Sequence, residues 1–290
     1  MNPSASAPAV TPALRQWLLD QLAAGCVAAD ILESMRNSGW DGTVALAALN
    51  QALASTASPL LAAEPARPAT TATALPAPDL GDAPSLIPLA GHSVQLLMAL
   101  SQPQVLLFGQ LLSHEECDAL VALATPRMAR SETVDHSTGG SQVNAARTSE
   151  GMFFERGETA LIQRIEARIA ELLRWPVDKG EGLQVLRYQP GAQYEPHFDY
   201  FDPAQPGTPA VLRRGGQRLA TLIMYLNTPE RGGATIFPDL RLQVAPTKGC
   251  AVFFSYDRPH ESTGTLHGGA PVLQGEKWVA TKWLREGVFE

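Results

Sequence analysis

The sequence predicts a mainly β protein, an all-β sandwich or jelly roll with buttressing helices on one side, preceded by a small N-terminal helical segment. Three observations predict it. Short runs rich in β-branched and aromatic residues (LQVLRYQPG, LATLIMYLN, ATIFP, GCAVFFSY and KWVATKWLR) crowd the second half of the chain, each bounded by glycine or proline. Two stretches with helical periodicity precede them. An Ala/Pro/Thr-rich tract separates both from a third, N-terminal helical region. Many short strands after two helices suit a sheet-on-sheet core with helical support.

The chain divides by composition into an N-terminal helical segment (residues 1–54), a linker (55–88) and a core domain (89–290). From Thr11 to Ala54, Leu14, Trp17, Leu18 and Leu22 recur at helical spacing, as do Val27, Ile31, Leu32 and Met35. NSGWDG (Asn37–Gly42) breaks the pattern, and Val44, Leu46, Leu49 and Leu53 mark a third short helix. Three short helices about a Gly-Trp turn resemble a small ubiquitin-associated-type bundle; the plainer reading is a helical cap or dimerisation element with no ligand. The tract from Ser55 to about Pro88 has few aromatics and cannot bury a core, which predicts a semi-extended linker. In the core domain the helices are expected at Ser113–Ala124 and Glu158–Leu173. SHEE places Glu116 three residues after Ser113, a capping box. Leu161, Ile162, Ile165, Ile169 and Leu172 give the second helix one apolar face.

The 290 residues carry 22 basic and 29 acidic side chains, a formal net charge of −7. That balance argues against a nucleic-acid partner held by a global basic field. Cys26, Cys117 and Cys250 are far apart and odd in number, so neither a disulfide framework nor a zinc knuckle is expected, and a reducing compartment is. No secretory leader and no apolar run of about 18 residues is visible, so the expected location is cytoplasmic with no membrane partner.

YEPHFDYFDP holds His197 and Asp199 one residue apart. On a strand both would point one way and Phe198 the other. His267, in TLHGGAPV, is the candidate third ligand. Two histidines and one carboxylate occupy one face of an octahedral ion and leave three positions for a bidentate co-substrate and dioxygen. His92, His114, His136 and His260 have no such partner and read as loop or surface histidines. Ten positions after His267 comes Lys277, which on a strand shares a face with Val279, Thr281 and Trp283. A lysine projecting into a barrel interior is costly without an anion, and the far carboxylate of a 2-oxo diacid would supply one. On the outer face it would only solvate the strand.

The run from RTSEGMFF (Arg147–Phe154) through LQVLRYQPGAQYEPHFDYF, GGQRLATLIMYLNTPERGGATIFP and LHGGAPVLQGEKWVATKWLR resembles the prolyl 4-hydroxylase branch of the Fe(II)/2-oxoglutarate dioxygenases, over about Val105–Arg285. The resemblance implies a double-stranded β-helix (jelly-roll) core, iron bound by His197, Asp199 and His267, and Lys277 paired with the distal carboxylate of 2-oxoglutarate. It implies Tyr188 and Thr235 as hydroxyl donors to that carboxylate and Trp283 as an active-site wall. Arg218 and Tyr194 match positions lining the peptide side, Arg147 of RTS begins a segment that in relatives covers the substrate, and the glycine- and serine-rich HSTGGSQVNAARTS is expected to be a mobile flap. O2 is the other co-substrate and L-ascorbate an expected reductant. The implied substrate is a peptide or protein, proline-containing by the same match, and a homodimer is admitted. Ala234 stands where relatives usually carry an acidic residue, and the loop Asp202–Gly216 at the pocket edge has no transferable preference. The alternatives are a 2-oxoglutarate hydroxylase of another residue or small molecule, and a non-catalytic peptide-binding jelly roll. The complete ligand set with Lys277 argues against the latter. An iron- or oxygen-responsive regulator would need a basic DNA-binding helix, which is not visible.

Overall fold

The structure is a computed structural model that describes residues 12–23, 28–38, 40–57, 75–134, 140–143 and 148–290. The chain divides into two compact units, Met1–Ala72 and Thr73–Glu290. The first holds α1 (Pro12–Ala23), α2 (Ala28–Asn37) and α3 (Gly42–Ala57). Leu18, Ile31, Met35, Ala45, Ala48, Leu49 and Ala52 form its core, with Trp17 and Trp40 packed at the side. On α3 the buried stripe is Ala45, Ala48, Leu49 and Ala52, at helical i, i+3, i+4, i+7 spacing. Leu46, expected in that stripe, lies one residue off it and is exposed. Leu22, Val27 and Leu53, expected on the apolar faces, have side chains outside the described set.

The second unit begins with β1 (Leu86–Leu89), β2 (His92–Ser101), β3 (Gln104–Gly109) and α4 (His114–Ala124). Then come β4 (Ala129–Arg130), β5 (Glu132–Val134), β6 (Ser141–Val143), β7 (Glu150–Phe154) and α5 (Ala160–Leu173). The chain continues through β8 (Leu183–Tyr188), β9 (Tyr194–His197), α6 (Thr208–Leu212) and β10 (Arg218–Tyr225). It closes with β11 (Arg231–Gly232), β12 (Thr235–Phe237), β13 (Leu242–Val244), β14 (Ala251–Ser255), β15 (His267–Gly269), β16 (Val272–Gln274) and β17 (Lys277–Arg285). The large sheet runs β1-β2-β3-β14-β10-β17-β8-β7-β4 and the small one β13-β12-β15-β9. Every pairing in both is antiparallel. This is the jelly roll expected from the sequence.

The central strands are buried on both faces, and their side-chain alternation sorts two cores. On β14, Ala251 and Phe253 face the helices while Val252 and Phe254 face the small sheet. On β17, Trp278, Ala280 and Leu284 take the helix side and Val279 the inner side. On β8, Leu183 and Val185 oppose Leu186 and Tyr188 in the same way. Strands covered on both faces read as near-continuous apolar runs, which is why these segments stand out in the sequence. β1 to β3 lie outside those runs and are recruited by pairing along the free edge of β14.

Both helices begin where side chains satisfy their first amides. Ser113 Oγ accepts from Glu116 N at 3.2 Å and Glu116 Oε2 accepts from Ser113 N at 3.0 Å. Glu116 also takes a two-pronged contact from Arg168 of α5 at 2.6 and 2.9 Å, tying the helices together. α5 starts at Ala160 rather than Glu158, because Thr159 stays extended and caps it through a 3.2 Å bond from Ile162 N. Residues 75–88, linker by composition, belong to this unit: Leu75 and Leu80 pack on the core, Ala77 N donates to Leu173 O at 2.9 Å, and β1 starts at Leu86. A few well-spaced apolar residues beside a pairable edge outweigh a composition poor in aromatics. Among the described residues no helix is long and apolar enough to cross a membrane.

On the helix side of β17, Lys282 meets Glu166 of α5 at 2.6 Å, with both side chains 2% exposed. Removing one member of such a pair strands a buried charge, whereas replacing both by apolar groups is close to neutral. Glu166→Ala is expected to cost on the order of 3–5 kcal/mol in urea denaturation. The double variant Glu166→Leu/Lys282→Met should recover most of it. A single variant as stable as wild type would show that the pair is not a desolvated ion pair.

Candidate metal centre and its pocket

The antiparallel register of β9 and β15 sets His197 directly opposite His267. The two strands approach closely because residue 268 is glycine: a Cβ there would lie 2.8 Å from the Tyr194 carbonyl oxygen. The imidazole centroids are 4.4 Å apart. Asp199 joins them from beyond the strand. β9 ends at His197, and Asp199 sits in a bend, so the convergence comes from a turn of the chain and not from the strand alternation that the spacing suggests. Its carboxylate lies 3.5 Å from His197 Nε2 and 3.4 Å from His267 Nε2. One ligand atom from each of the three falls within 4.8 Å of the others, and this is the one group of its kind among the described residues. His92, His114 and His260 lie outside it, and His136 is outside the described residues.

The protonation pattern suits a cation. His197 Nδ1 lies 2.9 Å from Glu195 O and His267 Nδ1 lies 3.1 Å from Thr265 O. A carbonyl oxygen accepts only, so each Nδ1 carries the proton and each Nε2 offers a lone pair to the centre. Burial drives His267 down to about 4, which keeps it neutral at physiological pH. For Asp199, burial pulls upward, but the electrostatic influence of His267, His197 and Arg218 holds it well below the usual carboxylate range. Two imidazoles whose Nδ1 atoms are taken up by backbone carbonyls and one anionic oxygen donor, with a side open to a cavity, form a set that fits a divalent transition metal.

That cavity continues from the three groups to Lys277. Lys277 is 4% exposed and paired in register with Tyr188. Among the described residues its side chain makes no hydrogen bond or ion pair. Its ammonium lies 5.5 Å from the Tyr188 ring and 5.9 Å from the Tyr225 ring. Burial lowers its pKa to about 8. A Cβ on Gly269 would stand 3.9 Å from its Nζ, so the glycine keeps the space over the ammonium open. Thr235, 2% exposed, accepts from Tyr225 OH at 2.9 Å, leaving its own hydroxyl proton for another acceptor. A buried lone cation among hydroxyls, at the far end of a cavity from a metal-type cluster, fits a carboxylate. Val279, Thr281 and Trp283 line the same cavity, as the alternation from Lys277 predicts.

A wider groove opens from the cavity, with Tyr194 and Trp283 at the junction. Phe198 and Tyr200, stacked at 4.9 Å, line it, and Tyr194 stacks on the His197 ring at 3.7 Å. Arg218 is placed at the groove, but its guanidinium is engaged: Glu181 takes it at 2.7 and 3.0 Å, and Asp199 O accepts from Nη1 at 3.4 Å. The rings of Trp283 at 4.0 Å and Phe201 at 4.7 Å sandwich it. Arg147 and most of the expected flap lie outside the described residues. Tyr225, Thr221, Tyr256 and Glu181 are site residues that the motifs do not reveal. The available signal was the inward period of β10, where Thr221 and Tyr225 are polar groups on an otherwise apolar strand.

The sequence model of the 2OG-Fe(II) oxygenase superfamily matches residues 183–285, which include the three metal-type groups and Lys277. Probable prolyl 4-hydroxylase 3 of Arabidopsis thaliana is 40% identical over 210 residues, 65% of this chain and 71% of that protein. Prolyl 4-hydroxylase 1 of the same plant is 43% identical over 201 residues, covering 63% and 69%. Among solved structures, the 2OG complex of the viral collagen prolyl hydroxylase from Paramecium Bursaria Chlorella virus-1 is 33% identical, with 62% of this chain and 95% of that chain covered and a TM-score of 0.49. With two-fifths identity across seven-tenths of such a relative, this chain belongs to the prolyl 4-hydroxylase family of Fe(II)- and 2-oxoglutarate-dependent dioxygenases.

Proposed function

We propose that this dioxygenase hydroxylates a prolyl residue in an extended peptide or protein segment, with His197, Asp199 and His267 holding the iron. The observation that carries the reading is one cavity with the three ligand-type groups at one end, the unpaired buried Lys277 at the other, and an aromatic groove at its mouth. The names of the Arabidopsis relatives support the prolyl target. Bound Fe(II) would supply the redox chemistry by which O2 converts 2-oxoglutarate to succinate and carbon dioxide and delivers one oxygen to a C–H bond.

The chain's own residues bind, orient and exclude water. Lys277 holds the distal carboxylate of 2-oxoglutarate by charge, and the hydroxyls of Thr235 and Tyr188 complete its shell, with Tyr225 orienting Thr235. Leu186, Ile223 and Val279 supply the apolar wall that keeps water from the co-substrate. Tyr194 and Trp283, at the junction of cavity and groove, position the target ring. The stacked Phe198 and Tyr200 suit a polyproline-type segment, whose preformed conformation docks on aromatic surfaces. Arg147 would contact the peptide, as the resemblance implies, and Arg218 borders it while serving the metal side. L-Ascorbate would restore iron oxidised in uncoupled cycles. A cytoplasmic setting suits ferrous iron, and the helical unit would serve targeting, dimerisation or recognition of a larger substrate.

The deciding experiment follows succinate release and peptide mass with a panel of proline-rich peptides. A gain of one oxygen on proline is expected, and His197→Ala, Asp199→Ala and His267→Ala should each lower turnover by at least about a thousandfold, because two protein groups no longer hold the ion facially. Oxygen on a different residue would assign another target, and near-wild-type succinate from any of the three variants would remove that residue from the metal.

Lys277→Ala should raise the 2-oxoglutarate concentration required by about ten- to a hundredfold, since a charge-assisted contact is lost. Lys277→Arg should not restore it, because a planar fork does not replace a compact point charge. The lysine is charged below its lowered pKa of about 8 and neutral above it. Wild-type affinity for 2-oxoglutarate should therefore weaken as pH rises through 8, by at most about tenfold per pH unit, while Lys277→Ala stays flat. Equal pH profiles would exclude the lysine from the co-substrate.

A chain starting at Thr73 should keep full turnover of a short peptide, because every group with an assigned role lies in the second unit. A folded but inactive truncation would mean that the helices complete the site.

A further inference from the structure

Asp199 is held from two sides by groups of different strength. Thr221 Oγ1 lies 2.7 Å from Asp199 Oδ2. Across the carboxylate, Arg218 Nη1 stands 4.0 Å from Oδ1. Thr221 is fully buried on β10, and Tyr256 OH reaches its hydroxyl at 3.0 Å. Tyr256, 2% exposed, is fastened to the same strand by its amide, which donates to Leu219 O at 2.9 Å. The proton assignment has one solution. An ionised carboxylate only accepts, so the single Thr221 proton goes to Asp199, and the phenol must then donate to Thr221. The result is a one-way chain, Tyr256 to Thr221 to Asp199, whose two hydroxyl members are buried.

We propose that Thr221 is a positioning residue for the metal centre: it fixes the rotation of the Asp199 carboxylate and holds it toward the two imidazoles, against the pull of Arg218. The proposal rests on the reading that His197, Asp199 and His267 hold a divalent metal. Arg218 is anchored by Glu181 and by two aromatic faces, so it cannot follow the carboxylate; the carboxylate must move to it. Without the Thr221 hydroxyl, Oδ2 loses its buried donor, and the guanidinium whose Nη1 stands 4.0 Å from Oδ1 is left as the neighbouring cationic group. Rotation toward it draws the oxygen lone pairs away from the centre. Outer partners of metal-binding carboxylates act in this way on affinity and ligand orientation.

The test is Co(II) binding to the full-length protein without co-substrate, read by titration and by the visible absorption of the bound ion. Thr221→Val keeps the volume and removes the hydroxyl; Thr221→Ser keeps the hydroxyl. The valine variant should bind Co(II) about ten- to a hundredfold more weakly, with an altered spectrum, and the serine variant within about threefold of wild type. Tyr256→Phe, which leaves Thr221 its proton but frees its direction, should fall between. It carries the test by itself if the valine variant does not fold, as judged by circular dichroism with chelator present. Wild-type affinity and spectrum in Thr221→Val, or in Tyr256→Phe where only that variant folds, would overturn the proposal. His197→Ala and His267→Ala serve as reference. If both bind Co(II) as wild type does, the metal-site reading itself fails, an outcome separable from the first.

Discussion

The pairing of β15 with β9 is the constraint on which the site depends. His197 and His267 are 70 positions apart in the chain and become neighbours only because this antiparallel register sets them opposite. The pairing in turn requires Gly268, whose missing side chain admits the Tyr194 carbonyl. Both strands are short, and neither could hold such precision alone. They borrow it from the large sheet behind them, since the inner core residues Phe237, Phe254 and Val279 fill the space between the layers. The Phe254 ring lies 4.5 Å from His267 and Phe237 6.0 Å from it, so the packing that holds the sheets together also orients the imidazole.

The protein buries many charges and treats them in two ways. Glu181 collects Arg218 and Arg285 at 2.7 and 2.9 Å, and Lys282 meets Glu166. In Glu181, burial pulls the carboxyl upward, but the two guanidiniums hold it below its usual range. These sets are closed: each charge has its partner, and they tie α5, β10, β17 and the segment leading into β8 together. Lys277 is the exception among the buried cations. Among the described residues it is left without a counter-charge, in a cavity whose walls apart from His197, Asp199 and His267 are apolar or hydroxylic, and the proposed carboxylate contact rests on that deficit. Arg218 belongs to both systems, since it closes a pair with Glu181 and borders Asp199.

β17 joins the structural and chemical halves in one strand. Its nine residues are all buried, and the period of two sends Lys277, Val279, Thr281 and Trp283 to the cavity. Trp278, Ala280 and Leu284 go to the helix-side core. A slip of one residue would exchange the two sets, placing tryptophan and alanine in the cavity and Lys277 against the helices. The register with β8, where Lys277 meets Tyr188, therefore carries fold and function together.

Much of this was legible in the residues by themselves. Period-two alternation in doubly buried strands placed Lys277, Val279, Thr281 and Trp283 on one face, and Ser113 with Glu116 announced the start of α4, because both are local rules of backbone geometry. The short His-x-Asp spacing and a later His marked the donor set by residue type. What local rules could not supply was any contact between distant segments. The bend that brings Asp199 in, the packing of Leu75 and Leu80 on the core with β1 at the sheet edge, and the grouping of Tyr225, Thr221, Tyr256 and Glu181 around the site all follow from the tertiary arrangement. Nor did the Arg218 position in the sequence disclose that Glu181 engages it. Side-chain direction along one strand is decided by a period of two residues; which strand lies opposite is decided by burying two faces at once, and only the folded chain does that.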